Sequence, residues 1–490
     1  MTRLWVALET EQPWSELAGS FRNLGTMAAI TESPNELTNS IHTASPVEIV
    51  RLLRQCDGQM FHGYRHHAAI CEYLPQLSTA ANHVAACLAS PSDSKVVLTG
   101  SGTSGRMAFL IARQFNRVAS ALGLPSSLFR YCCAGGDVAL FASREAPEDD
   151  WQRGSAAVSE MSQGCRKVVV IGITCGLSAP FVGGQLQLAL DHPDVYIPIL
   201  LGFNTVDQAR DTAIEGCNWT FKDVVSRMES QGALVLNPAV GPEAVTGSTR
   251  MKGGSATKLM LEVIMLKAFA LLQQQQLSLA QAVAEYQLTT TAAYSSIPDL
   301  AQVIILAQQA LQHNGHIYYV GDSIYGIEAL IDASECPPTY NAKYGDVRAY
   351  LHQGFATLDN VEGDLAASGD PDLQLSTAAL LAQGLTPHDL VVFVGVTMAE
   401  LAHPLSAQLH DLAKAAGTPT VRMLVQGEDA VTESQADSTV DVHVRVPAGV
   451  AVPTSYLCEL AMKLVLNAVS TGAYVLFGKV LGNRMIDLQV

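Results

Sequence analysis

Short apolar blocks rich in β-branched residues, most of them ending in glycine or threonine, recur along this chain of 490 residues and alternate with stretches of helical periodicity. Continuous apolar blocks of this length are typical of parallel strands whose sheet is covered by helices on both faces. The sequence therefore predicts an α/β fold. The predicted strands lie within residues 95–100, 167–174 and 195–203 of the first half and 315–326, 390–397 and 420–427 of the second.

Both halves follow one plan, in which a strand ending in glycine leads into a loop, a helix and later a long closing helix near 255–273 or 457–477. A chain of this length also exceeds the roughly 250 to 300 residues at which one core usually splits. We therefore predict two homologous α/β domains, residues 91–285 and 300–490, after a lead with helices in residues 1–90. The boundary is expected near 285–300, where TTTAAYSSIPDL is rich in small and turn-forming residues.

The overall charge limits the classes of partner. A formal net charge of −17 opposes sequence-independent binding to nucleic acid or to an anionic membrane, since both need a basic face. Acidic residues in the opening MTRLWVALETEQPW oppose a secretory signal, and Glu262 and Lys267 interrupt the most apolar helix, so no membrane anchor is expected. Ten scattered cysteines without a disulfide spacing favour reduced thiols and a cytoplasmic protein.

A metal site is one further candidate. His62, His66, His67 and Cys71 have a spacing that would place ligands on one face of a helix. Closed metal sites need additional ligands, and the sequence offers none nearby. We expect neither a metal nor a cofactor.

The loop GSGTSGR, residues 100–106, is the strongest candidate for chemistry. Its glycines, including Gly102, let the backbone approach a ligand closely, and Thr103 and Ser104 add hydroxyl groups at the start of the next helix. Free amides and the helix dipole favour a phosphate there. A tight turn with capping serines would carry the same residues.

Two later loops repeat this chemistry. ITCGLSAPF follows another strand, and ligands bind at the carboxyl edge of open parallel sheets. GPEAVTGSTRMKGGSATK places Ser248 before Arg250 and Lys252, a pair of cations that would attract a phosphate; surface charge at a helix start is the alternative. The candidate residues of the first of these loops are Thr174, Cys175, Gly176 and Ser178.

These motifs carry a family resemblance. GSGTSGRMAFL, AGGDVALFASREAPEDD, ITCGLSAPFVGGQ and NPAVGPEAVTGSTRMKGGSATK resemble the first sugar isomerase (SIS) domain of the glucokinase regulatory protein family and are also similar to N-acetylmuramic acid 6-phosphate etherases. ITESPNELTNS and IVRLLRQCD resemble the regulatory family specifically. The similarity runs from about Ala29 to the C-terminus, and it implies two SIS domains, each a mostly parallel sheet flanked by helices, that form a pseudo-dimer.

The second half resembles the same families in a complementary way. It has lost the GTSG pattern at positions 322–325 but carries ASECPPTY, which the etherases place directly after their phosphate loop. Its closing MKLVLNAVSTGAYVLFGKVLGNRMIDL resembles the etherase segment after STRMK. The resemblance therefore implies a fused homodimer that retained one shared site, to which the second half contributes Glu335 and Lys479.

Roles for single residues follow from the same resemblance. The hydroxyl-bearing and glycine positions of the three loops, with Arg250, would hold the phosphate and the sugar. Glu148 and Glu335 match the two acidic positions of the etherase, where a pair of carboxyls can act as base and acid. Either glutamate would equally suit a sugar hydroxyl, and Glu148 also fits a solvated helix start.

Several functions remain open at this stage. The resemblance implies a regulator that binds fructose 6-phosphate or fructose 1-phosphate and changes its hold on a glucokinase or hexokinase, in the cytoplasm or, for a vertebrate-type regulator, the nucleus. The main alternative is cleavage of the lactyl ether of N-acetylmuramic acid 6-phosphate, and a sugar-phosphate isomerase ranks lowest. The regulatory family's C-terminal helical cap is not expected here, and its kinase-contacting Leu-Leu-Phe stretch has no match at 444–456. We favour a non-enzymatic regulator.

Overall fold

The computed structural model describes residues 29–142, 148–395, 403–430 and 439–486. The chain forms two α/β domains, each built on a five-stranded sheet. In both sheets, neighbouring strands run parallel to each other. This architecture confirms the predicted fold class. The interrupted apolar segment 259–272 is part of a buried helix, as expected. None of the helices that the structure describes combines the length and the apolar character that a membrane crossing needs.

The first domain begins with two helices and then alternates strands and helices. Its helices are α1 Pro46–Gly58, α2 Leu74–Ala89, α3 Gly102–Ala121, α4 Trp151–Met161, α5 Pro180–Asp191, α6 Phe221–Ser230 and α7 Lys252–Leu272. Its strands are β1 Ser94–Gly100, β2 Phe129–Cys133, β3 Lys167–Ile173, β4 Tyr196–Leu201 and β5 Leu234–Leu236.

Two helices, α8 Leu279–Ala293 and α9 Ile297–Gln312, lead into the second domain. Its strands are β6 Ile317–Gly321, β7 Val347–Leu351, β8 Leu390–Gly395, β9 Thr420–Gly427 and β10 Val440–Val446, followed by a short hairpin of β11 Val480–Leu481 and β12 Arg484–Met485. Its helices are α10 Ser323–Ser334, α11 Cys336–Tyr340, α12 Phe355–Leu358, α13 Thr377–Gln383, α14 Pro404–Ala416 and α15 Thr454–Leu476.

The two sheets have the same strand order. The first runs β2-β1-β3-β4-β5 and the second β7-β6-β8-β9-β10, so each domain's first strand lies between its second and third. In such sheets the strand order reverses between the first and third strands, and the crevice at that switch point is where ligands bind. The repeat expected from the sequence is therefore present in the topology, and it locates one candidate crevice in each domain.

Two segments differ from expectation. The stretch from His62 to Cys71 is not a helix, because Gly63 has a φ of +70° and the chain turns back to form a bridge between Tyr64 and His67. The segment 289–300 is mostly helical: α8 continues to Ala293 and α9 starts at Ile297. Thr289, Thr290 and Ala293 pack in the interior, and Thr290 donates to the carbonyl of Tyr286 at 2.9 Å.

Candidate functional site

The strand register brings two predicted loops together. Gly100 at the end of β1 lies beside Ile173 at the end of β3. The loop after each strand therefore leaves the sheet at the same level, at the switch point of the first sheet. This crevice is where we place the candidate site.

The first loop forms the start of α3. Gly102 has a φ of +52°, a conformation that favours glycine. A Cβ on Gly105 would lie 2.4 Å from the sulfur of Cys133, so glycine at this position lets α3 pack more closely against β2 than any other residue type would. Ser101 is the N-cap residue, but its side chain accepts no hydrogen bond from the helix. The first amides of α3 thus remain uncapped by that side chain, which is the arrangement that favours an anion.

The second loop lies directly beside the first. The hydroxyl of Ser104 is 3.9 Å from the sulfur of Cys175, and the backbone amide of Ser178 donates to the hydroxyl of Thr174 at 3.2 Å. Leu177 adopts a φ of +53°, a strained conformation for a residue with a Cβ. Burial raises the pKa of the Cys175 thiol to about 12, which favours the protonated sulfur over the thiolate.

The segment that contains Thr31 and Glu32 also lies beside the second loop, although the sequence did not predict it as part of the site. The amide of Thr31 donates to the Asn204 side chain at 3.0 Å, and Asn204 donates to the carbonyl of Gly176 at 3.0 Å. The exposed carboxylate of Glu32 lies 3.1 Å from where a Cβ on Gly247 would be. The motif ITESP had contributed to the family resemblance, but its position over the second loop is visible only in the fold.

The third loop contributes an unpartnered hydroxyl. Ser248 is 4% exposed, and its side-chain oxygen is buried without a hydrogen-bond partner among the described residues. A buried hydroxyl without a partner destabilises the protein unless something else satisfies it. Ser248 is therefore the predicted residue whose hydroxyl has a hydrogen-bonding capacity that the described residues do not use.

The two cations after this loop are engaged inside the protein. The guanidinium of Arg250 pairs with Asp332 of the second domain at 2.8 Å, with both side chains 2% exposed. The ammonium of Lys252 donates to the side chain of Gln59 at 2.8 Å. In this structure neither cation faces the crevice, so the helix amides of α3 carry more of the positive field than expected.

The N-terminus of α7 is also occupied from within. Both oxygens of Glu243 accept hydrogen bonds, from the amides of Lys252 at 2.9 Å and Gly253 at 2.7 Å. Burial raises the pKa of the Glu243 carboxyl to about 7. This carboxylate takes the place that an anion would occupy at α7, so the start of α3, unlike that of α7, has no carboxylate of the protein bound to its first amides.

Glu335 of the second domain reaches the first loop. One of its oxygens accepts from the hydroxyl of Thr103 at 2.7 Å and pairs with the guanidinium of Arg106 at 2.7 Å. Arg106 also donates to the carbonyl of Leu140, and the ion-pair side chains are 2% and 8% exposed. Sequence reasoning had included Arg106 in the loop without assigning it this role.

The C-terminal hairpin lies on the third loop. The amide of Thr246 donates to the carbonyl of Asn483 at 2.7 Å, and the Asn483 side chain reaches back to the carbonyl of Asn35. Lys479 is partly exposed and directly precedes β11. The segment that contains Lys479 thus leads into a hairpin that lies against the third loop.

Glu148 stands at the edge of the site. Its side chain is exposed, and its carbonyl accepts from the amide of Phe181 at 2.8 Å. The neighbouring Asp149 pairs with Arg210 at 3.0 Å, and Arg210 also contacts the carbonyl of Ser178. These contacts place Glu148 beside the second loop, in a solvated position. Within the residues that the structure describes, no group of three or more His, Cys, Asp or Glu side chains is arranged to hold a metal ion.

Two parallel-sheet domains of one strand order, with hydroxyl-rich loops at the switch point of the first, define a tandem SIS-domain protein. Family models agree with this class. The model described as "Glucokinase regulatory protein N-terminal SIS domain" matches residues 79–190, and "Glucokinase regulatory protein, second SIS domain" matches residues 294–414.

Curated relatives give the particular family. The chain is 34% identical to the glucokinase regulatory protein of Xenopus laevis, covering 99% of this chain and 81% of that protein, and 35% identical to that of Homo sapiens, covering 99% and 80%. The chain belongs to the glucokinase regulatory protein family. An N-acetylmuramic acid 6-phosphate etherase of Synechocystis sp. is 36% identical, but this match covers 42% of the chain and 64% of the etherase. The similarity to etherases is therefore partial.

Proposed function

We propose that this chain binds a sugar phosphate between its two domains and thereby changes its hold on a glucokinase-type sugar kinase. The observation that carries the proposal is the contact of Glu335 with Thr103 and Arg106. A phosphate that binds at the first amides of α3 competes with Glu335 for these two donors. The ligand would then favour one arrangement of the two domains, which is the condition for ligand control of a partner.

The proposed ligand set follows the three loops. The amides of Gly102 and Thr103 and the hydroxyl of Ser104 would hold the phosphate. Thr174, Cys175, Gly176, Ser178 and Ser248 would face the sugar, with Glu148, Glu335 and Lys479 at the rim. Arg250 would act indirectly, because its ion pair with Asp332 holds the two domains together. Fructose 6-phosphate and fructose 1-phosphate are the proposed ligands, and membership in the regulatory family supports a glucokinase as the partner.

The test is a titration of the purified chain with fructose 6-phosphate and fructose 1-phosphate, followed by a glucokinase assay with and without ligand. Ser104→Ala should weaken ligand binding by about tenfold, the value of one hydrogen bond to a charged group. Ser230→Ala, an exposed serine of α6, is the matched control and should leave the affinity unchanged. An isotherm that Ser104→Ala does not alter would remove the proposed site. Binding without any effect on glucokinase would remove the regulatory role.

A second candidate is cleavage of the lactyl ether of N-acetylmuramic acid 6-phosphate. It is favoured by the presence of both Glu148 and Glu335 and by the partial match to etherases. One oxygen of Glu335 is held by Arg106 and Thr103, so ligand entry must first release it for catalysis. Lactate release that Glu148→Gln and Glu335→Gln both abolish would establish the etherase. Absence of lactate from the unmodified protein would exclude it.

A further inference from the structure

Three arginines of the first domain line one cleft at the boundary between the domains. The cleft has a volume of about 190 Å³. Arg113 and Arg117 are one turn apart on α3, and Arg130 belongs to β2. Because α3 rises about 1.5 Å per residue, Arg113 lies about 16 Å along the helix axis from Gly102. The cleft is therefore separate from the crevice described above.

Both domains form the walls of this cleft. Ser126 and Ser127 approach from the loop before β2, and Asp359 and Asn360 approach from the segment after α12 of the second domain. Arg113 fixes that segment by donating to the carbonyls of Thr357 at 2.7 Å and Leu358 at 2.8 Å. A molecule in the cleft would contact both domains at once.

The arginines of the cleft are not directly paired with carboxylates, although Asp359, Glu459 and Asp322 act on Arg113 from a distance. No ion pair joins Arg113, Arg117 or Arg130 to an acidic side chain within the described residues. The Nε of Arg130 is buried without a hydrogen-bond partner among those residues. Asp359 is the acidic side chain that lines the cleft. In a chain with 46 acidic and 29 basic residues, three neighbouring arginines without a paired carboxylate are unexpected.

Burial and repulsion between the arginines add to this imbalance. Arg113 is 6% exposed, and burial, followed by the like charge of Arg117, lowers the pKa of its guanidinium to about 10. Like charges one helical turn apart destabilise a helix. An anion between the guanidinium groups would remove this repulsion and would satisfy the unpartnered Nε.

We propose that the cleft formed by Arg113, Arg117 and Arg130 binds the phosphate group of a small molecule, at a second site distinct from the sugar-phosphate crevice. Guanidinium groups present planar pairs of donors that match phosphate oxygens, and the hydroxyls of Ser126 and Ser127 supply further donors. The volume admits a phosphate with a small organic substituent. Inorganic phosphate and a phosphate monoester share this chemistry. The proposal does not depend on the function proposed for the crevice.

The test is calorimetric titration of the full chain with inorganic phosphate and, separately, with methyl phosphate. The unmodified protein should bind an equivalent of phosphate that Arg117→Gln/Arg130→Gln weakens by about tenfold or more and that Ser104→Ala leaves in place. Arg51→Gln/Arg54→Gln, which removes two exposed arginines of α1, is the control of equal charge and should have no effect. Tighter binding of methyl phosphate identifies a monoester as the ligand, and tighter binding of inorganic phosphate identifies the free ion.

Single variants keep the test decisive if the double variant does not fold. Arg117 is exposed, so Arg117→Gln should fold as the unmodified protein does. The proposal is overturned if Arg117→Gln and Arg130→Gln each bind phosphate with the stoichiometry and affinity of the unmodified protein. It is also overturned if the control variant on α1 weakens binding by the same factor, because the effect would then be one of net charge.

Discussion

A single substitution, Ser101→Asp, would test whether the phosphate of the proposed ligand binds at the start of α3. Ser101 is the N-cap residue of α3, and Asp322 is the N-cap residue at the corresponding position of α10, directly after the first strand of its sheet. Neither side chain accepts a hydrogen bond from its own helix. A carboxylate is therefore sterically acceptable at this position of the fold.

The expected effects on stability and on binding have opposite signs. A carboxylate at a helix N-terminus stabilises the helix by about 0.3 to 1 kcal/mol, so Ser101→Asp should fold at least as stably as the unmodified chain. A phosphate at the amides of Gly102 and Thr103 would meet this carboxylate. At a separation of about 5 Å and an effective dielectric constant of about 20, two unit charges repel by about 3 kcal/mol, which weakens binding more than about a hundredfold.

Calorimetric titration with fructose 6-phosphate and thermal unfolding of the same samples measure the two effects. Ser101→Asn is the matched control, since it has the shape of aspartate without the charge and should retain most of the affinity. Unchanged affinity in Ser101→Asp would refute the placement of the phosphate at the start of α3. Equal losses in both variants would show that the side chain's size, and not its charge, excludes the ligand.

Three further predictions concern stability. Arg250→Met should lower the free energy of unfolding by about 3 to 5 kcal/mol in urea, because the buried carboxylate of Asp332 loses its cation; a loss below about 1 kcal/mol would contradict this. Gly105→Ala should lower the melting temperature through a loss of about 1 to 3 kcal/mol, because the new Cβ would lie 2.4 Å from the Cys133 sulfur, and unchanged melting would contradict that contact. Burial raises the pKa of Glu328 from 4.5 to about 7, so the carboxyl binds its proton more tightly in the folded protein and its stabilising contribution is lost as the pH rises through 7. The free energy of unfolding of Glu328→Gln, relative to that of the unmodified protein, should therefore rise by up to about 3 kcal/mol between about pH 5 and about pH 8. If urea unfolding shows a difference that does not depend on pH, this carboxyl does not titrate in that range.

The sequence predicted the central strands of both sheets and missed their edges. The strands found from apolar runs are β1, β3, β4, β6, β8 and β9, all of which have a neighbouring strand on both sides. The four missed strands, β2, β5, β7 and β10, are the edge strands. Edge strands are less uniformly apolar: β2 and β7 each contain an arginine, β5 has three residues, and β10 alternates polar and apolar residues. Continuous apolar runs therefore identify the central strands of such a sheet but not its edge strands.

The candidate site divides in a similar way. The hydroxyl and glycine loops were predicted because their signal lies within a few residues of one strand end. The contacts between distant residues were not: Arg250 pairs with a residue 82 positions away and Arg106 with one 229 positions away. Local spacing gave no reason to assign Glu243 to the N-terminus of α7 or Arg106 to Glu335. Glu335 was predicted as a site residue from the family resemblance and not from local spacing.

The buried charges at the domain boundary follow one pattern. Among the described residues, Arg106, Arg250 and Lys258 of the first domain each form a buried ion pair with a carboxylate of the second. A symmetric homodimer would present cations and acids from both partners equally, so this one-sided distribution indicates that the two halves have specialised. Buried ion pairs add little net stability, but breaking one is strongly unfavourable, and they can thus fix how two surfaces fit together. Of these three cations, Arg106 is the one on the hydroxyl loop, so a phosphate bound at the proposed site would disturb the Arg106 pair with Glu335 first. The other two pairs would keep the domains attached while the ligand changes the contact at the crevice.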